Sequence, residues 1–267
     1  MSALAGVALA AGRGVRMRPL TDALPKVLMP VAGVPLLDLA LDRLVAEVGS
    51  GPRQVAVNAH HHAGQVLDAV AGRAHASWER PQALGTAGAL GRLREWLDGR
   101  HALVTNADVY HPGPLAELVE GWDGERCRLL VVPAEAGRRH DLTRDGVGLR
   151  YVGSCLLPWT AVRGLAAEPT GLYEVLWRDA EAAGSLDLVR SNGISVDCGT
   201  PADYLAANLH ATRGASAVHQ GATVQGRVDR CVVWDGAWVG PDEDLREVIR
   251  AGSREHPLTV PAEQPTG

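Results

Sequence analysis

Two glycines, one lysine and two distant aspartates are the residues of this chain best suited to work on phosphates. Gly12 and Gly14 follow the apolar run Leu4–Ala11. Glycines after a first strand let backbone N–H groups close on phosphoryl oxygens and form an anion-binding nest. Ala10, Ala11, Gly12, Arg13 and Gly14 are therefore the candidate phosphate loop. Two familiar versions of such a loop are excluded. A dinucleotide fingerprint needs a third glycine and an immediate helix, whereas Met17 takes that slot and Pro19 follows; a Walker A loop needs Gly-Lys-Ser/Thr. Pro19, Pro25, Pro30 and Pro35 instead predict an extended stretch of some twenty residues. Such a stretch can lie along a nucleoside triphosphate. Arg16 suits a forked grip on pyrophosphate oxygens, and Lys26 suits a compact charge where two phosphates meet. Lys26 is the only lysine among 26 basic residues, and the chain has no phenylalanine.

Asp108 and Asp197 each follow a short apolar run, which places them at the carboxyl ends of strands, where open α/β sheets gather their sites. Taken singly, each serves a turn or a helix cap equally well. As a pair they suit Mg²⁺, which takes one or two protein carboxylates and leaves its other positions to water and substrate phosphate. His60-His61-His62 invites a metal reading too, but consecutive side chains on an extended segment alternate faces and do not converge on one ion. Asn58 and His60 are expected to shape the floor of the site or its hydrogen bonds.

The elements that must position these residues follow from the apolar pattern. Strands are expected at Leu4–Ala10, Val55–Val57, Ala74–Trp78, Leu103-Val104 and Leu129–Val132, and a strand pair around Leu149–Leu157 with its turn at Asp145-Gly146. Helical spacing is seen at Leu37–Val48, Gln65–Val70, Gly88–Leu97 and Gly171–Ala183. A short strand is expected at Ile194–Val196. Thr200-Pro201 reads as an N-cap with proline at the first helical position, opening a helix that stops at Gly214. This alternation predicts an α/β fold, a Rossmann-like, mainly parallel sheet with helices on both faces, over residues 1–213. Val218 and Val224, then Val233, Val239 and Leu245, recur every six residues among glycines. That period predicts a short left-handed β-helix-like segment over 214–255; the alternative is a glycine-rich loop. Two coils are too few to stand alone, so the segment is expected to lean on the main domain or on a second copy of the chain in a homo-oligomer. Residues 256–267 are expected to be a flexible tail. Trp78, Trp96, Trp122 and Trp177 are assigned to the core.

Composition excludes several classes. The chain has 267 residues, 46% of them apolar, and a net charge of −5, with no basic run of the kind that binds nucleic acid or a membrane surface. The N-terminal apolar run lacks a positive start and is too short to span a bilayer. The four cysteines show no metal-binding spacing, which fits a reducing, cytoplasmic setting.

Gly12-x-Gly14-x-Arg16, Pro19-Leu20-Thr21 and Pro25-Lys26-x-x-x-Pro30-Val31 resemble the opening of the sugar-1-phosphate nucleotidyltransferases. Further matches follow in order: Val57-Asn58-x-His60-His61, Leu84-Gly85-Thr86-Ala87-Gly88, Asn106-Ala107-Asp108 and Asp197-Cys198-Gly199-Thr200-Pro201. The pattern is most similar to the branch of mannose-1-phosphate guanylyltransferases and N-acetylmuramate-1-phosphate uridylyltransferases. The resemblance implies a Mg²⁺-dependent enzyme that joins a nucleoside triphosphate to a sugar 1-phosphate and releases pyrophosphate, with Asp108 and Asp197 on the metal. It implies that Glu79–Gly88 contacts the base, with Gly85 and Thr86 presenting backbone or hydroxyl groups, and that Gly153 and Asp197 serve the sugar phosphate. Arg16, Lys26, Asp108 and Asp197, its catalytic group, would then surround one triphosphate. Gly85-Thr86-Ala87-Gly88 leans towards GTP with mannose or heptose 1-phosphate. The alternatives are a uridylyltransferase on an (amino)sugar 1-phosphate, a cytidylyltransferase on a non-sugar phosphate, and a non-catalytic nucleotide-sugar-binding regulator. Some positions depart from the family. The lysine of its Glu-Lys-Pro segment has no counterpart here, His140-Asp141-Leu142 stands for Gly-Asp-Phe, and Ser195 stands for a tryptophan.

Overall fold

The computed structural model describes residues 3–134, 140–144 and 146–262. The chain divides into two compact units, one of Met1–Gly12 with Leu39–Ser195 and one of Arg13–Asp38 with Val196–Gly267. The expected domain boundary at 213 thus falls inside the second unit, and Asp145, at the expected hairpin turn, lies outside the described residues.

The first unit is built on a sheet. Its strands are β1 (Leu4–Leu9), β2 (Val55–Ala59), β3 (His75–Trp78), β4 (His101–Asn106), β5 (Arg128–Pro133), β6 (Leu142–Arg144), β7 (Val147–Leu157) and β8 (Asp187–Arg190). They lie in the order β8-β5-β7-β4-β1-β2-β3, with β6 paired to β7. β4, β1, β2 and β3 run parallel, as do β8 and β5, while β7 is antiparallel to both its neighbours in that order. The sheet is mainly parallel, as the alternating pattern predicted.

β1 shows why both faces are covered. Ala5 and Val7 point into a core with Leu90, Leu93 and Leu97. Leu90 belongs to α3 (Gly85–Arg92), and Leu97 ends the short turn of helix that follows it. Gly6 points the other way, and a Cβ there would meet Leu44 and Val48 of α1 (Leu36–Val48). Because successive strand residues alternate faces, α1 and α3 lie on opposite sides of β1. A third helix, α2 (Ala63–Ala69), follows β2.

Some local expectations change. The helix expected at Gly88–Leu97 starts three residues earlier and breaks at Leu93, whose ψ is 0°. Gly171–Ala183 contains a wide π turn at Tyr173–Trp177 before a regular helix at Arg178–Ala182. Trp78 is 40% exposed, with the Arg80 guanidinium over its ring, so it is not a core residue; Trp177 is buried. Trp78 alternates with buried Ser77 at the edge of the sheet, which turns its ring outward. The strand expected at Ile194–Val196 is Val196–Asp197.

In the second unit the proline-rich stretch is extended only in part, at Pro25 and in the short antiparallel strand pair Pro30–Val31 with Val34–Pro35. Before that pair it folds as three single 3₁₀ turns, Val15–Met17, Leu20–Asp22 and Lys26–Leu28. Helix α4 (Pro201–Ala211) opens as read from the sequence, with Thr200 Oγ1 accepting the Asp203 N–H at 3.2 Å and Pro201 in the first turn. Tyr204 of α4 donates its hydroxyl to the Pro30 carbonyl and accepts from Trp234 Nε1 at 3.1 Å.

The remaining strands are β9 (Ala217–Val218), β10 (Thr223–Val224), β11 (Arg227–Asp229), β12 (Val232–Val233), β13 (Trp238–Val239), β14 (Asp244–Arg246), β15 (Val248–Gly252) and β16 (Pro257–Pro261). β9 pairs parallel with β12, β10 with β13 and β11 with β14, which makes a three-sided coil around Val233, Val239 and Cys231. β16 returns antiparallel to β15, so residues 257–261 are ordered as a strand where a loose tail was expected. Among the described residues no helix is long and apolar enough to cross a membrane.

Candidate active site

In the first unit the sheet register sets up the site. β1, β2 and β4 end together, with Leu9 opposite Asn58 on one side and Asn106 on the other. Beyond those ends lies a cavity of about 220 Å³, lined by Ala11, Gly12, Asn58, Gly85, Thr86 and Asp108 among others. All six are residues singled out from the sequence. Carboxyl ends of neighbouring parallel strands are where such sheets bind ligands.

Asn58 is buried, and both ends of its amide are engaged within the protein. Oδ1 accepts the Ala10 N–H at 2.6 Å, and Nδ2 donates to Glu79 Oε1 at 2.7 Å. Glu79, at 0% exposure, uses Oε2 to accept the Leu84 N–H at 2.7 Å. A buried relay therefore runs from the candidate phosphate loop to the turn that opens α3. From the sequence Glu79 is only the first residue of the base-contacting segment, with no role of its own, although it directly follows the expected strand Ala74–Trp78 and so meets the same strand-end criterion as Asp108. The Glu79 carbonyl lies 3.1 Å from His60 Nδ1, and the His61 and His62 rings rest on each other with centroids 4.1 Å apart. Among the described residues no group of three His, Cys, Asp or Glu could hold a metal ion.

Gly85 has φ +70°, and a Cβ there would stand 2.5 Å from the Thr170 carbonyl oxygen. Gly88 and Gly91, one and two turns on, likewise back onto the Glu168 and Ala166 carbonyls. Thr86 Oγ1 accepts the Leu172 N–H at 2.9 Å. The glycine-rich motif thus locks α3 against segment 166–172 while its first residues line the cavity.

Asp108 sits on the turn after β4. Arg43 of α1, buried, brackets that turn by donating to the His111 carbonyl at 2.5 Å and to Thr105 Oγ1 at 3.2 Å. Burial lowers its pKa to about 10. Arg43 was also missed, though an arginine seven residues after Leu36, on the buried side of a helix, is a signal. His111 is held by its contact with the Ile194 carbonyl at 2.8 Å, and burial pulls its pKa below the usual histidine value. Gly153, at φ +83° where the β7–β5 register shifts, backs onto Asn106 and Val109.

The second unit brings together Arg16, Lys26 and Asp197. Lys26 Nζ is 3.8 Å from Asp197 Oδ1 and Arg16 Nη2 is 3.9 Å from Oδ2. Lys26 is 8% exposed, while the Asp197 and Arg16 side chains are 55% and 70% exposed. Gly14 adopts φ +60° beneath them; a Cβ there would touch Thr21 and Lys26, so glycine is required for conformation and for space. Its carbonyl accepts the Thr21 hydroxyl at 2.8 Å. Arg13 is exposed.

Residues 6–228 match the MobA-like NTP transferase domain. The chain belongs to that family. This NTP transferase falls among the sugar-1-phosphate nucleotidyltransferases of the family and is an enzyme of nucleotidyl transfer. It is 34% identical over 232 residues to an N-acetylmuramate alpha-1-phosphate uridylyltransferase of Caulobacter vibrioides, a match covering 74% of this chain and 93% of that one. It is 32% identical over 137 residues to a mannose-1-phosphate guanylyltransferase of Mycobacterium tuberculosis, over 49% of this chain and 37% of that one. The transferase therefore spans little more than a third of the second relative. Its fold is similar to that of a Thermus thermophilus structure described as a mannose-1-phosphate geranyltransferase, with a TM-score of 0.71 at 18% identity, over 97% of this chain and 95% of that one.

Proposed function

We propose that the protein transfers a uridylyl group from UTP to a sugar 1-phosphate, giving a nucleotide sugar and pyrophosphate. The observation that carries this reading is the cavity at the ends of β1, β2 and β4, lined by loop residues Ala11 and Gly12 and by Asp108. Uridine is placed first because the uridylyltransferase relative is covered over 93% of its length. A second reading, GTP with mannose 1-phosphate, is favoured by Gly85-Thr86-Ala87-Gly88 and by the partial guanylyltransferase match.

The chemistry assigned to each group follows from its type. An oxygen of the sugar phosphate attacks the α-phosphorus in line; a new P–O bond forms as the bond to the β-phosphate breaks and pyrophosphate leaves. Positioning and charge compensation are the sources of rate. Lys26 holds the charge that builds between the phosphates, and Arg16 with the loop amides of Gly12, Arg13 and Gly14 holds the departing pyrophosphate. Gly85 and Thr86 face the base, and Gly153 offers backbone to the sugar phosphate.

Asp108 and Asp197 are hard carboxylate donors of the type Mg²⁺ takes. The Asp197 side chain is 55% exposed, as a carboxylate that receives an ion from solvent must be. Mg²⁺ bound there would neutralise the α-phosphate.

Pyrophosphate release measured with purified protein and Mg²⁺ across four nucleoside triphosphates and a panel of sugar 1-phosphates tests the proposal. The expected result is release with UTP. Best turnover with GTP and mannose 1-phosphate would move the assignment to the second reading. Release with no pair would overturn both and leave a nucleotide-sugar-binding regulator.

A further inference from the structure

We infer that Glu79 is a positioning residue that fixes the spacing between the phosphate loop and the base-facing turn, and with it the choice of nucleotide. The inference rests on the nucleotidyl-transfer reading above. Its basis is the polarity of the buried relay. Ala10 and Leu84 each offer a backbone N–H, and neither can accept. Asn58 must therefore turn its oxygen to Ala10 and its NH₂ to Glu79, and Glu79 must accept at both of its oxygens. Only a carboxylate does that. A glutamine would set an NH₂ against one of two donors and leave a buried group unpaired.

The relay ends at positions that matter. Ala11 follows Ala10 and Gly85 follows Leu84, and both line the cavity. A nucleotide gripped at both places reads the distance between them. Asn58 is buried and held by protein on both sides, so it also acts through the relay. Glu79 touches no reacting atom on this account. Its loss should alter binding and selectivity more than the chemical step.

The polarity supplies its own test. E79Q breaks the pattern by setting two donors face to face, and N58D breaks it by setting two carboxylates face to face. Combined, N58D/E79Q restores it: a carboxylate at 58 accepts from Ala10 and from the new amide, whose oxygen accepts from Leu84. Kinetics of E79Q are expected to show the UTP KM raised about tenfold, kcat within about threefold, and the UTP-over-GTP preference cut about tenfold. The double variant should recover KM and selectivity to within about threefold of the parent. Unchanged KM and selectivity in E79Q, or a double variant no better than the single ones, would overturn the inference. Melting temperatures accompany each variant; should E79Q fail to fold, the double variant alone decides, by native-like or altered selectivity. Equilibrium binding of UTP and GTP without sugar phosphate separates this inference from the parent reading. A parent enzyme that binds nucleotide without turnover sinks the transfer reaction, and E79Q with undiminished affinity sinks the relay.

Discussion

Lys26 Nζ stands 3.8 Å from Asp197 Oδ1, although the two residues are separated by most of the chain. The ammonium is nearly buried and the carboxylate about half exposed, so the pair presents its negative partner outward. At this length it is an ion pair without a direct hydrogen bond, a looser arrangement than a structural bridge needs.

Lys26→Met is expected to lower kcat by about 10²- to 10³-fold, the loss typical of removing one preorganised charge from a transition state. Arg16→Ala, at a far more exposed position, should mainly raise the KM for the triphosphate. Steady-state pyrophosphate release reads both, and equal effects on kcat and KM for the two variants would contradict their separate roles.

Asp108→Asn should abolish turnover while leaving the circular dichroism spectrum and melting temperature near those of the parent. The amide keeps the shape of the side chain and removes its charge. Near-normal activity would remove Asp108 from the metal.

Gly88→Ala tests the glycine stripe of α3. The added methyl would overlap the Glu168 carbonyl oxygen, which is backbone and cannot swing away. A destabilisation of about 1–3 kcal/mol is expected in urea unfolding. A stabilised variant would mean that α3 and segment 166–172 have more room than described.

The parts legible in the sequence were those encoded locally. Thr200-Pro201 announces its helix within four residues, and the strand-end aspartates follow from short apolar runs. The proline-rich loop was legible only in part because proline fixes φ and leaves ψ open. Pro25 has ψ 141° and is extended, whereas Pro19 has ψ 0° and joins a turn. Arg43, and the part of Glu79 in the buried relay, were missed for a different reason. Their partners lie on other elements, at Asn58, Leu84, Thr105 and His111, and only tertiary packing brings them together. Trp78 shows that size and aromaticity do not fix burial when the strand lies at an edge.

The thiols predict a pH dependence. Burial pushes Cys127 up to about 11 and Cys155 up to about 12. Both then stay protonated in the folded protein while the unfolded chain, with thiols near their ordinary value of about 9, releases protons. Their contribution to stability is complete below that value and is lost as the pH rises towards 12. Urea midpoints measured from pH 8 upward should fall, and Cys127→Ser should flatten part of the decline. At pH 8 an Ellman reaction should be slow on native protein and should count four thiols after unfolding.

β16 bears on how copies of this protein could associate. The Ala262 N–H reaches back to the Glu247 carbonyl at 3.3 Å, so by alternation the amide positions facing away from β15 are those of residues 257, 259 and 261. Two of the three are prolines and have no hydrogen to give. The outermost strand thus offers Thr259 as its sole outward backbone donor among the three, too little to seed a continuous ladder with a neighbour. Edge-to-edge accretion is thereby disfavoured at this margin, where an added strand would meet carbonyl acceptors but a single amide donor.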